Sequence, residues 1–136
     1  MPIAWSNEMS VNVSVLDNQH KHFLDLLNKA YSLLSEGVDL STEKVNNHIK
    51  ELKDFAIKHF ETEEMYFDKY NYSYSVEHKN EHAKLLEKIN VFVKRLEMED
   101  FSILGDLIDF LEDWLIHHLK HDDKKYIKTF NDNGLF

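Results

Sequence analysis

The chain has 136 residues, 43% of them hydrophobic, with 16 Lys and Arg against 25 Asp and Glu for a formal charge of -9. That length suits one domain with a core of its own, and the acidic balance argues against nucleic acid or an anionic membrane as partner, since both require basic patches. With no cysteine, disulfides, zinc ribbons and thiolate iron sites are excluded, so any metal must be held by nitrogen and oxygen.

Met1 to Ser10 carry neither the basic stretch nor the apolar run of a secretory leader. No apolar segment approaches the roughly 20 residues of a membrane span, and the expected compartment is the cytoplasm. Residues 1–16 read as an N-terminal arm packed on the rest through Trp5, Val11, Val13 and Val15. The only proline is Pro2, so nothing beyond it forbids long helices on that ground. Apolar residues then recur at helical spacing four times. The first helix is expected over about 17–35, striped by Leu16, His20, Phe23, Leu24, Leu27, Tyr31 and Leu34 and stopped near Gly37. The second spans about 42–70, with Ser41 or Thr42 as N-cap and a stripe of Val45, Leu52, Phe55, Ala56, His59, Glu63 and Phe67. After the loop from Asn71 to Tyr74, the third covers about 75–98, striped by His78, His82, Leu85, Leu86, Ile89, Val93 and Leu96. The fourth runs over about 102–123 through Leu104, Leu107, Ile108, Leu111, Trp114, Leu115 and His118, and 124–136 read as a tail. Four amphipathic helices with short connections predict an all-α fold, a single up-down-up-down antiparallel four-helix bundle.

The polar residues on these stripes carry the functional signal. His20 starts the first helix and His59 lies near the end of the second. His78 and His82 start the third, and His118 lies near the end of the fourth. In helices of alternating direction, that order gathers all five at one end of the bundle. His59 with Glu63, and His78 with His82, each put two ligand-capable groups on one helical face at i, i+4. Buried imidazoles and carboxylates need partners to offset their desolvation, and a dinuclear metal centre would supply them.

The other histidines separate by phase. His22 lies roughly 160° round its helix from His20 and should face water. His48 is in phase with His59 but about 16 Å along the axis, where a polar residue of the opposite core end is expected. His118 is central in the apolar arc of the fourth helix, His117 is at its rim, and His121 is one turn further out, where the bundle opens. Glu61 and Glu64 fall off the stripe and read as solvated charges. For a second carboxylate, ideal spacing from His118 favours Asp122, about 40° off the stripe, over Asp123 at about 140°.

Asp17-Asn18-Gln19-His20-Lys21, His59-Phe60-Glu61-Thr62-Glu63-Glu64, His78-Lys79-Asn80-Glu81-His82 and the run from Trp114 to Tyr126 resemble the hemerythrin family in its single-domain bacterial form. The resemblance covers Trp5 to Tyr126. The family pattern of a histidine followed five residues later by aspartate selects Asp123, which an irregular turn at the helix end would swing inward. The resemblance implies two iron ions (Fe2+/Fe3+) with an oxo or hydroxo bridge: one held by His78, His82 and His118, the other by His20 and His59, with Glu63 and Asp123 shared. The second would keep an open position for dioxygen, beside a pocket lined by Phe23, Phe60, Trp114, Leu115 and Leu119. The implied function is reversible dioxygen binding for storage, delivery or scavenging, not enzymic turnover. A nitrogen-rich donor set without paired Glu-x-x-His motifs favours a carrier over the carboxylate-rich di-iron enzymes. A redox sensor acting through a separate signalling or oxygen-consuming protein, a peroxidase or oxidase, and a purely structural metal bundle are the competing readings.

Overall fold

The structure, a computed structural model, describes residues 3–37, 39 and 43–136. Four long helices dominate it: α1 (Ser14–Ser35), α2 (Glu43–Lys69), α3 (Ser75–Glu97) and α4 (Leu104–His117). A fifth, α5 (Ile127–Asp132), is short. Helix α1 packs on α2 and α4, α2 on α3, and α3 on α4, which closes the antiparallel ring. Ser41 and Thr42, the expected N-caps of α2, lie outside the described residues. None of the described helices is long and apolar enough to cross a membrane.

The helix ends follow local chemistry. Gly37 takes φ +69 after α1, as its missing Cβ allows. Helix α2 stops the same way on Asn71, φ +52, and the Tyr72 amide donates back to the Phe67 carbonyl at 3.0 Å. That turn folds the Tyr72 ring back under the helix end.

Each helix buries the stripe its periodicity marks. Leu27, Leu52, Leu85, Ile89, Leu107 and Leu111 join Phe23, Phe60 and Leu115 in the main core, and burying each such side chain stabilises the fold by about 1.5–3 kcal/mol. A second apolar cluster gathers Val11, Val13, Leu16, Phe67, Tyr72, Tyr126 and Phe130. The arm packs as expected through Val11 and Val13, but Val15 points outward at 39% exposure. The tail differs from expectation. Residues 123–126 form a 3-10 turn leading into α5, and Tyr126 and Phe130 are fully buried. Asp17 clamps the arm by accepting from the Val11 amide at 2.8 Å and the Ser10 hydroxyl at 2.6 Å. Lys124 Nζ ties the tail to the arm through the Ser10 carbonyl at 2.6 Å. Arm and tail together plug the end of the bundle that carries the histidines, so that end is closed where the sequence suggested an opening.

Candidate metal centre

Between the main core and this plug, the bundle holds His20, His59, Glu63, His78, His82, His118 and Asp123, none more than 5% exposed. Helix α1 contributes His20, α2 contributes His59 and Glu63, and α3 contributes His78 and His82. Helix α4 stops at His117, and His118–Asp122 continue as one turn of π-helix. The extra residue in that turn reverses the ideal-helix argument. Asp123 swings fully into the core, and Asp122 stays partly exposed at the rim, its side chain 25% accessible.

The donor atoms form two sets. Glu63, His78, His82 and His118 make one, and His20, His59 and Glu63 the other, each with ligand atoms within 4.8 Å of one another. The carboxylates span them. Asp123 Oδ2 lies 3.2 Å from His20 Nε2, while its Oδ1 lies 2.9 Å from His78 Nε2 and 2.8 Å from His118 Nε2. Glu63 Oε1 is 2.9 Å from His59 Nε2 and 3.4 Å from His82 Nε2. Despite these approaches, His20 Nε2, His82 Nε2 and all four oxygens of Glu63 and Asp123 are buried without a well-directed hydrogen bond. Buried polar atoms left this way are what a bound cation would satisfy. The Nε2 atoms of His78 and His118 are 3.0 Å apart, the separation of two nitrogens held at right angles about 2.1 Å from one ion. Nitrogen and carboxylate oxygen without thiolate suit iron, zinc or manganese among common ions.

The outward ring nitrogens are held separately. His59 Nδ1 donates to Gln19 Oε1 at 2.7 Å, His82 Nδ1 to Glu64 Oε2 at 3.0 Å, and His118 Nδ1 to Asp122 Oδ2 at 3.2 Å. A proton kept on Nδ1 leaves the Nε2 lone pair facing the cluster and fixes the ring plane. Glu64, expected to be solvated, is therefore bonded to a ring of the site. Gln19 and Asp122 were also not expected in this role. The available signal was their place beside a ligand-capable residue, at the edge of an apolar stripe. Aromatic faces complete the support. Phe60 stacks on His82 at 3.9 Å and Trp114 on His118 at 4.2 Å between ring centres. On the other side Phe67 lies 4.8 Å and Tyr126 5.8 Å from the His78 ring.

The electrostatics follow from this packing. Burial would raise both carboxyls, and Asp123 repels Glu63, but His59 beside Glu63 and His118 beside Asp123 hold both well below the ordinary carboxylate range. Burial opposes charge on His118, yet the Asp123 and Asp122 carboxylates outweigh it and push the ring up to about 10. His82 is raised, against its burial, by Glu63 and Glu64, whereas burial lowers His59. Protons on His82 and His118 thus offset the charge of the two buried carboxylates, and bound cations would take over that task.

The other histidines lie outside the cluster. His48 is buried and donates from Nε2 to the Leu26 carbonyl at 2.8 Å, and His22 is exposed with its ring edge on Phe55. His117 and His121 are both exposed. Phe23, Phe60, Leu115 and Leu119 are buried in the core beside the cluster, and Trp114 packs against it partly exposed.

Known proteins resemble this chain in sequence and in fold. A bacteriohemerythrin from Clostridium acetobutylicum is 29% identical over 125 residues, spanning 90% of this chain and 97% of its own. A hemerythrin-like protein from Naegleria gruberi is 31% identical over 126 residues, 92% of this chain and 91% of that one. The crystal structure of a wild-type hemerythrin superposes with a TM-score of 0.86 at 27% identity, covering 95% of this chain and 98% of the other. The family profile described as "Hemerythrin HHE cation binding domain" matches residues 11–130. That match takes in every residue of the buried cluster, and the chain belongs to the hemerythrin family.

Proposed function

We propose that the protein binds dioxygen reversibly at a pair of irons, for storage, delivery or scavenging. His78, His82 and His118 would hold one ion and His20 and His59 the other, with Glu63 and Asp123 shared. The observation that carries this reading is the asymmetry of the donor sets, three imidazoles against two around common carboxylates. The set with fewer nitrogens leaves room for an exogenous ligand. Iron at this site would supply the two electrons that dioxygen takes on binding and returns on release.

The chain's own residues do the rest. Gln19, Glu64 and Asp122 keep the outward Nδ1 protons in place. Phe60 and Trp114 hold the His82 and His118 rings against rotation. Phe23, Leu115 and Leu119, none more than 1% exposed, form an apolar wall that keeps out water and with it the protons that would turn reversible binding into loss of reduced oxygen. The plug of Val11, Val13, Tyr126 and Phe130 closes the opposite side.

The test is absorption spectroscopy of the anaerobically reduced, iron-loaded protein, before oxygen, after oxygen and after oxygen is removed. A spectrum that appears and disappears with oxygen supports the carrier. Irreversible oxidation in the first cycle, or no change at all, overturns it.

A further inference from the structure

We propose a second metal-binding site, on the surface: His117 and His121 form a two-histidine chelate for a divalent late first-row transition ion such as zinc. The two rings lie 4.8 Å apart between centres and are tilted by 38°. His78 and His82, which point into the buried cluster, have the same 4.8 Å separation at the same i, i+4 spacing. The exposed pair thus already has the spacing of a pair whose inward nitrogens sit 2.9 and 3.4 Å from carboxylates of the cluster.

The backbone explains why this pair is pre-set. His117 ends α4 and His121 lies inside the π-turn that brings Asp123 into the core. That turn is held from both sides, by the buried Leu119 and Asp123 and by Lys120, whose Nζ lies 3.4 Å from Glu8 of the arm. A chelate on a clamped backbone loses little further conformational freedom when an ion binds. Among the described residues, no hydrogen bond or ion pair ties either ring to another side chain, and both are exposed. Neutral imidazole suits zinc, nickel and copper in the absence of thiolates, and water would complete the shell. The site is separate from the buried cluster, because His117 and His121 face away from the core that His118 enters.

The experiment is equilibrium dialysis of the iron-loaded full chain against a series of zinc concentrations, with zinc and iron counted by elemental analysis. The parent is expected to hold one zinc per chain more than His117→Ala or His121→Ala at the same free zinc. Each single variant should bind that ion more weakly by at least the roughly 10–100-fold that follows loss of a mere outer hydrogen-bond partner. His22→Ala, which removes an exposed histidine elsewhere, should bind zinc as the parent does. The readout is a difference between parent and variants, so it does not depend on which metal fills the buried cluster or on oxygen binding. Equal zinc in parent and both variants overturns the site, as does a zinc deficit of the same size in His22→Ala.

Discussion

The two ends of this bundle both bury histidine, and they do so for different reasons. At the end built around Leu26 and Ile49, His48 is 4% exposed and its Nε2 is satisfied by one backbone carbonyl. At the other end five rings are buried together, and those with outward partners are held by side chains, leaving their inward nitrogens to converge on Glu63 and Asp123. A buried histidine bonded to the backbone is a polar part of a core. One held from behind, with its free nitrogen aimed at other donors, is arranged to bind a cation. The direction of the unsatisfied atoms, rather than burial, separates the two.

The sharpest way to break that distinction is to delete one histidine from each end. His118→Ala should abolish the proposed dinuclear centre, leaving far fewer than two irons per chain by elemental analysis. His48→Ala should retain the iron and lower unfolding stability by about 1–3 kcal/mol for the lost buried hydrogen bond and ring. Iron loss in His48→Ala, or two irons retained in His118→Ala, would erase the difference between the ends.

Within the site end, the next contrast is between neighbours on the π-turn. Asp123→Ala should disrupt the shared site and lose iron. Asp122→Ala, and likewise Glu64→Ala, should weaken metal binding by about 10–100-fold while keeping two irons at saturation. Competition with a chelator measures both. An effect at Asp122 as large as that at Asp123 would mean that the π-turn does not separate the roles.

A smaller effect is expected from the wall. Leu115→Ala leaves every donor in place and costs about 2–5 kcal/mol of stability as a buried truncation. Iron content should stay that of the parent, and the oxygenated spectrum should decay faster at one pH and temperature, because the space created admits water. Unchanged or slower decay with iron retained would put the protective wall elsewhere.

The mildest contrast is in pH. His118 without metal is raised from 6.5 to about 10, so its contribution to stability is fully present below pH 6.5 and is lost as pH rises toward 10. Glu63 and Asp123 are shifted the other way, so their contribution is present above the ordinary carboxylate range and is lost progressively as pH falls from that range toward their lowered values. Metal-free protein should therefore melt at progressively lower temperature from pH 6.5 to 10. The loaded protein, with His118 bound as a neutral ligand, should not follow. Parallel decline of the two forms would show that the imidazole protons are not what the ion replaces.

Several parts of this molecule were legible from residue order, each for a local reason. The four helices follow from apolar spacing, and their caps from residues such as Gly37. His20, His59, His78, His82 and His118 could be gathered at one end because alternating helix direction converts position along the chain into position in space. Glu63 followed from its single turn of separation from His59. Asp123 did not follow from spacing. Ideal geometry pointed to Asp122, and only a family pattern pointed past it, because a π-turn is a tertiary compromise that no local propensity announces. Glu64 looked like surface charge for a related reason: its partner, the Nδ1 of His82, comes from a different helix.

Where the helices form, which faces they bury and which polar side chains those faces carry all depend on spacing within one segment, and residue order is enough to place them. The closure of the bundle end, by contrast, comes from packing between segments far apart in the chain. Residues 124–136 have no strong periodicity, yet Tyr126 and Phe130 are fully buried, because the arm residues Val11 and Val13 and the ring of Phe67 offer an apolar surface that no single segment displays. Such packing also decides the direction of each imidazole, which depends on Gln19, Glu64 and Asp122 reaching across helices or along an irregular turn. Burial stripes can be read one helix at a time, whereas the aim of a buried donor depends on what stands behind it.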